Sequence, residues 1–313
     1  MHELTITSLS VHMPSVLRWA GAIARRLRGY DIGLDGKRSG SASTDALTLA
    51  DLSLQELIVA ALRDCDPVFR QCRIDAEETT GDLARFPPDA ELTIGIDPID
   101  GTRRYRDRIG GAYSVMLHLR SKAAVLYSLV YHPEQGEHGW WIEARDDRIL
   151  SGPDDPSRPA ADVVRSLPPA KPGPMPAVPR IFVAGFMEAQ SDVVRRVAQL
   201  GMDAEGSGSA EQTGYQRIAA REVCGALFHS PNVYDFPVMM QLFRILEGDA
   251  VWVHDGKPVD FHRVWRDKRA NMLRLPGIIA ASSDAGVQRR LVELARDWNP
   301  ERYRGAGEGL SPS

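Results

Sequence analysis

Cysteine is scarce in this sequence. Cys65, Cys72 and Cys224 are the three among 313 residues, an odd number with no Cys-x-x-Cys pair and no zinc-type Cys/His spacing. That pattern excludes a disulfide framework and a structural zinc site. It suits buried thiols in a reducing compartment. Long apolar runs are missing too: the best candidate, residues 123–131, is too short to span a membrane and fits a buried strand. The first 14 residues show no basic region followed by an apolar stretch, so no signal peptide is expected and the protein reads as cytoplasmic. No charge sign dominates either. With 38 basic and 42 acidic residues the net charge is −4, and the arginines are scattered. Such a chain has no field to gather a nucleic-acid polymer or an anionic membrane.

What remains is an ordinary globular composition, 43% hydrophobic and 26% charged. The length exceeds that of one compact core, so two packed subdomains are expected. Residues 1–150 form the first and 181–313 the second. Between them, residues 151–180 are rich in Pro and Asp and have no period, which predicts a linker or long surface loop, with disorder the simplest state.

Helical spacing is plain in two places. Val16, Leu17, Ala20, Ile23 and Leu27 share one face of a predicted helix over residues 14–27, with Pro14 in its first turn and Gly29 at its stop. Leu54, Leu57, Ile58, Ala61 and Leu62 form a second apolar stripe, and Asp51 lies at or near that helix's N-terminus. Strands are predicted over residues 92–96, 113–119, 123–131, 140–144, 181–184, 223–228 and 251–253. Helices are predicted over 189–200, 215–221 and 236–246. This alternation argues for mixed α/β layers.

The chemistry concentrates at Asp97-Pro98-Ile99-Asp100-Gly101-Thr102. Hard cations such as Mg²⁺ take carboxylate, carbonyl, water and phosphate oxygens. Two aspartates three residues apart, with proline fixing the backbone between them, can aim both carboxylates and a carbonyl into one site. Gly101 lets the backbone approach a ligand, and the Gly101 and Thr102 amides can face a phosphate oxygen. Alone, the hexapeptide fits a plain strand-ending turn equally well. Three further features are individually bland. Glu77-Glu78 fits a solvated loop, Thr48-Leu49-Ala50-Asp51 a helix cap, and Tyr234-Asp235 a cap before an apolar helix.

As an ordered set, Thr48 to Asp51, Ala76-Glu77-Glu78, Asp97 to Thr102 and Tyr234-Asp235 resemble the motifs of the inositol monophosphatase superfamily, over roughly residues 15–265. The resemblance implies an alternating αβαβα sandwich, Mg²⁺-dependent and lithium-sensitive phosphomonoester hydrolysis with two or three ions per site, and a homodimer. It assigns Glu77, Asp97 and the Ile99 carbonyl to one metal, and Asp97, Asp100 and Asp235 to a second. Glu77 is then the general base, and Asp51 with Thr102 an acid–hydroxyl pair that orients the attacking water. Substrate contacts are expected from Gly101, Thr102, Arg103, Ser209 and His229; Ser209 lies in the small-residue loop 206–210.

Several positions depart from the family pattern. Ala76 stands where glycine is common, and Tyr234 where tryptophan is usual. Arg103-Arg104 follows the threonine, and Ser230-Pro231 precedes the last aspartate. The basic residue is more similar to the bisphosphate nucleotidase and histidinol-phosphatase branches, and the Ser-Pro to the nucleotidases. Arg103 and Arg104 can grip a second phosphate through bidentate forks or form surface salt bridges. His229 is either a substrate contact or a solvated loop histidine. The substrate expected is a small phosphate ester, a cyclitol or sugar phosphate by default. The rivals are a 3′(2′),5′-bisphosphate nucleotidase, a histidinol-phosphatase, and a non-catalytic metal-binding descendant of the fold.

Overall fold

The structure, a computed structural model, describes residues 2–30, 47–111, 113–206 and 214–302. The helix predicted from residue 14 begins twelve residues earlier: α1 spans His2–Arg28 and carries Pro14 inside it. Ile6, Leu9 and Met13 extend the buried face upstream of the proline, so packing outweighs the lost backbone donor. Helix α2 (Leu49–Asp64) starts at an N-cap, Thr48, whose side chain accepts from the Asp51 amide.

Both helices pack on one face of a six-stranded sheet in simple sequential order. Its strands are β1 (Arg73–Ala76), β2 (Thr93–Asp100), β3 (Ser114–Arg120), β4 (Val125–His132), β5 (Trp140–Arg145) and β6 (Arg148–Pro153). β1 and β2 run parallel and the other neighbours antiparallel. Between β2 and β3 runs the short helix α3 (Thr102–Arg106). Alternation along the strands sorts side chains to opposite faces. Val115, Leu117 and Leu119 join α1 and α2, whereas Met116 joins the apolar cluster on the other side.

Residues 151–180 are not a structureless linker. Their first residues complete β6, and α4 (Ala160–Arg165) follows. Ala160, Val163, Val164 and Leu167 are buried in the α1/α2 core, an apolar set lying between Pro159 and Pro168 that is too short to show a period.

The second sheet has five strands in the order β10-β13-β9-β7-β8. They are β7 (Arg180–Ala184), β8 (Asp203–Gly206), β9 (Gly225–His229), β10 (Asp249–Trp252) and β13 (Ile278–Ser282). A small hairpin, β11 (Trp265–Asp267) with β12 (Met272–Arg274), lies in the connection between β10 and β13. Helices α6 (Gly214–Ala219) and α7 (Phe236–Ile245) share one apolar cluster with inner-face residues of both sheets. Helices α5 (Gln190–Gln199) and α8 (Ala285–Ala295) cover the outer face of the second sheet. The order is helix, sheet, helix, sheet, helix: the αβαβα sandwich. No helix among the described residues is long and apolar enough to cross a membrane.

Candidate active site

Strand β2 carries the chain into the site and stops pairing regularly there. Its register with β3 shifts between Asp97 and Asp100, the stretch that holds Pro98 and Ile99. The irregularity lets two carboxylates three residues apart point to one place, which a flat period-2 strand would forbid. Gly101 follows in the left-handed region (φ 88°) and begins α3, a conformation that favours glycine. The third carboxylate arrives from the distant end of the chain. Asn232 Oδ1 accepts from the amides of Tyr234 (2.8 Å) and Asp235 (3.0 Å), turning the backbone so that Asp235 precedes α7. The capping role that this position suggests is not the one taken: the Asp235 side chain makes no cap hydrogen bond.

Asp97, Asp100 and Asp235 each offer an oxygen, and these oxygens lie within 4.8 Å of one another. Asp97 is buried, and its Oδ1 has no hydrogen bond. Burial, aggravated by repulsion from Glu77, Asp100 and Asp235, holds the Asp97 carboxyl well above the usual carboxylate range. Burial with repulsion from Asp100 and Glu77 pushes Asp235 up to about 8. Asp100 is raised by burial as well, with the positive charge of Arg104 pulling it back. Ser114 Oγ donates to Asp100 Oδ2 at 3.3 Å. The Tyr215 hydroxyl lies beside Asp100 without a hydrogen bond of ordinary geometry. Crowded, buried, oxygen-only donors with an orphaned lone pair are what a hard divalent cation satisfies. The residues present fit such an ion.

Glu77 reaches the same cluster from β1. The parallel pairing of Ala76 with Ile96 continues as a Glu77 amide to Ile96 carbonyl bond of 3.3 Å, placing Glu77 alongside Asp97. Its charge acts on Asp51, Asp97, Asp100 and Asp235. Glu78 is buried rather than solvated. The fully buried Gln55 of α2 explains this. Its amide accepts from the Glu78 N–H (2.8 Å) and donates to the carbonyls of Glu78 (2.8 Å) and Thr80 (2.6 Å). Nothing in the local sequence around the glutamates points to Gln55, because the contact depends on how α2 lies against the sheet.

Thr102 joins the turn to α2. Its Oγ1 lies 3.0 Å from Asp51 Oδ1 and 2.8 Å from the Ile99 carbonyl. Asp51 Oδ2 accepts from the Thr48 amide (2.7 Å) and hydroxyl (2.6 Å). Burial raises the Asp51 carboxyl to about 7 against the lowering effect of Thr48.

Arg103 and His229 have other partners. Arg103 is exposed and paired with Asp107 at 3.5 Å. His229 is not a solvated loop residue: it ends β9, is buried, packs edge-on against Phe186 at 5.4 Å, and lies 3.3 Å from the Asn299 carbonyl. Burial and the nearby Arg302 push its imidazole down to about 4. Ser209 lies outside the described residues.

The αβαβα sandwich, and the stretch of sequence that leads into the carboxylate cluster, recur in known proteins. Residues 9–147 match the model of the inositol monophosphatase family. No curated protein matches the chain. Among solved structures, the extragenic suppressor protein suhB from Bartonella henselae superposes with a TM-score of 0.65 at 14% identity, covering 96% of this chain and 100% of that one. An inositol monophosphatase from Thermotoga maritima gives 0.63 at 15% identity, with 94% and 96% covered. CysQ from Bacteroides thetaiotaomicron, described as a bacterial member of the same family, gives 0.61 at 15%, with 89% and 97% covered. At these identities the structural likeness speaks for the fold. Residues 9–147 carry a sequence pattern of the inositol monophosphatase family, and the whole chain takes the fold of these solved proteins.

Proposed function

We propose that the chain hydrolyses a small phosphomonoester with Mg²⁺, which Asp97, Asp100 and Asp235, and Glu77 with the Ile99 carbonyl, would hold. The observation that carries the reading is the convergence of three aspartate oxygens within 4.8 Å, one of them on a buried carboxylate with an unsatisfied oxygen. When bound, the metal supplies Lewis-acid chemistry, acidifying water and offsetting charge on the phosphoryl oxygens. The protein's part is positioning and proton handling. Glu77 acts as general base for the attacking water. Thr102 orients that water: its hydroxyl donates to Asp51 when Asp51 is ionised, and turns to the Ile99 carbonyl when Asp51 holds a proton. The Gly101 and Thr102 amides receive a phosphoryl oxygen, and glycine keeps the approach open.

A cyclitol or sugar phosphate is the default substrate. Arg103-Arg104 and Ser230-Pro231 favour a bisphosphate nucleotidase or histidinol-phosphatase as the second reading. The test is phosphate release with Mg²⁺ on inositol 1-phosphate, histidinol phosphate, fructose 1,6-bisphosphate and adenosine 3′,5′-bisphosphate. Turnover of the nucleotide alone would discard the cyclitol default. No turnover of any of them, with Asp100→Asn indistinguishable from wild type, would leave a non-catalytic metal-binding protein. We also propose inhibition by millimolar Li⁺, a homodimer in solution and a cytoplasmic location. The three free cysteines support the last of these. Activity at saturating Li⁺, or a monomeric mass by light scattering, would remove the first two.

A further inference from the structure

The segment that delivers Asp235, residues 230–235 between β9 and α7, is held at its start by two arginines from far along the chain. The Ser230 carbonyl accepts from Arg274 Nη1 at 3.1 Å and from Arg302 Nη1 at 3.3 Å, 44 and 72 residues downstream. Arg302 also donates to the His229 carbonyl at 3.0 Å. Both arginine side chains are buried, and one carboxylate balances them. The fully buried Asp267 of β11 accepts from Arg274 Nε at 2.8 Å and lies 4.0 Å from Arg302 Nε. Ser230 itself sits in the left-handed region (φ 47°), which a residue with a Cβ keeps where its surroundings dictate it. Beyond Ser230, β12 follows the segment like a pairing strand. Asn232 bridges to Arg274, the Leu275 amide donates to the Pro231 carbonyl (2.9 Å), and the Val233 amide donates to the Leu273 carbonyl (3.1 Å). The Leu273 amide donates to the Tyr234 hydroxyl at 2.9 Å.

Such a device meets a specific difficulty. Asp97 and Asp100 sit on one strand, whereas Asp235 reaches them from a loop, so repulsion among the three carboxylates acts to swing that loop away. Burying two guanidinium groups and a carboxylate costs desolvation, and simple loop anchoring does not require it, since neutral backbone bonds to β12 are already in place. We propose that Arg274 and Arg302, with Asp267 as their shared counter-ion, are positioning residues that hold the 230–235 segment so that Asp235 meets Asp97 and Asp100 in a cation-binding arrangement. The inference rests on the metal-site reading above. It adds the β11–β12 hairpin and Arg302 to the parts on which that site depends.

Two measurements test it, Mg²⁺ affinity by calorimetric titration and amide hydrogen exchange in EDTA. Arg302→Met keeps the apolar stem and removes the donors. It should weaken Mg²⁺ binding about 10-fold, the lower end for partners that orient a metal ligand, and Arg302→Lys should recover part of the loss. Val163→Ala, a truncation of α4 in the other apolar cluster, should lower Tm without moving the affinity. An unchanged affinity in Arg302→Met, or an equal loss in Val163→Ala, would overturn the proposal. Hydrogen exchange needs neither bound metal nor a folded variant. In the metal-free wild type the Val233, Tyr234 and Asp235 amides should already be protected, because the arginines hold the segment before any cation arrives. Protection that develops only on adding Mg²⁺ would mean that the cation, not the arginines, sets Asp235 in place. If the wild type binds no Mg²⁺, the metal-site reading fails on its own. Exchange in EDTA then decides for the arginines: protection that Arg302→Met reduces supports their role, and absent or unchanged protection ends it.

Discussion

Thr102 Oγ1 and Asp51 Oδ1, 51 residues apart in sequence, lie 3.0 Å from each other in a buried contact between the acidic turn and the first turn of α2. Asp51 thus serves the helix and the site together, since its other oxygen accepts from Thr48. Replacing it separates the two duties. Asp51→Asn keeps the shape and an oxygen for Thr48 but cannot take a proton. The expected result is a kcat at saturating Mg²⁺ lower by about 10²–10⁴-fold, with a stability loss of no more than about 2 kcal/mol, the upper range for a helix cap. Steady-state kinetics beside urea denaturation would check both, and a kcat within threefold of wild type would remove Asp51 from the proton path.

The carboxylate cluster destabilises the metal-free protein, and the pH dependence has a definite sign. The Asp97, Asp100 and Asp235 carboxyls are all raised in the folded state. A carboxyl raised on folding binds its proton more tightly in the native state, so its contribution is fully present below the unfolded pKa and is lost as pH rises through the folded one. For Asp235 that window runs from the ordinary aspartate value of 3.8 to about 8. In EDTA, Tm should therefore carry a component that falls between pH 4 and 8, and Mg²⁺ should raise Tm more at pH 8 than at pH 5. Asp97→Asn should raise the Tm of the metal-free protein by several degrees, on the order of 1–2 kcal/mol, while abolishing the Mg²⁺ response. A Tm lower than wild type in EDTA would show that repulsion does not dominate there.

How much of this was legible in the sequence depends on what each contact requires. The turn Asp97 to Thr102 could be read because its parts are consecutive, although the left-handed conformation of Gly101 shows only in the structure. Asp235 gained meaning only through its order relative to the turn, since a helix-leading aspartate is ordinarily a cap. The core helices showed through their stripes. The start of α1 was missed because Pro14 reads as a first-turn residue, and α4 because its apolar set is short and bounded by prolines. The support of Glu78 by Gln55 stayed hidden. It depends on how an element is oriented against its neighbours, which one-dimensional spacing does not encode.

Gly95 and His118 provide a packing test beside the site. They are register partners on β2 and β3, and a Cβ on Gly95 would lie 2.0 Å from His118 Cε1. The fully buried ring thus occupies the space that glycine leaves open. Gly95→Ala should cost about 1–3 kcal/mol through overpacking. In an His118→Ala background the same substitution should cost markedly less, giving a coupling energy above about 0.5 kcal/mol in a double-mutant cycle. Additive effects in urea denaturation would mean that the strand relaxes without involving the ring.

Gln55 allows the support of the glutamate pair to be tested without touching a carboxylate. Its amide satisfies one N–H and two carbonyls of the segment that follows Glu77, all in buried or part-buried surroundings. In Gln55→Leu the volume is nearly kept and the hydrogen bonds are lost. The stranded backbone groups should cost about 1–3 kcal/mol each where water cannot reach them, a fall in Tm readable by calorimetry. Because Glu77 directly precedes this segment and lies alongside Asp97 through the β1–β2 pairing, the loosened backbone should also weaken Mg²⁺ binding. Gln55→Glu separates the two effects: it retains an acceptor for the Glu78 amide but loses both donors, so stability should recover in part while a new buried carboxylate near Glu78 opposes the fold. A Mg²⁺ affinity that stays at the wild-type value in Gln55→Leu, despite a lower Tm, would show that Glu77 is held by the parallel strand pairing alone.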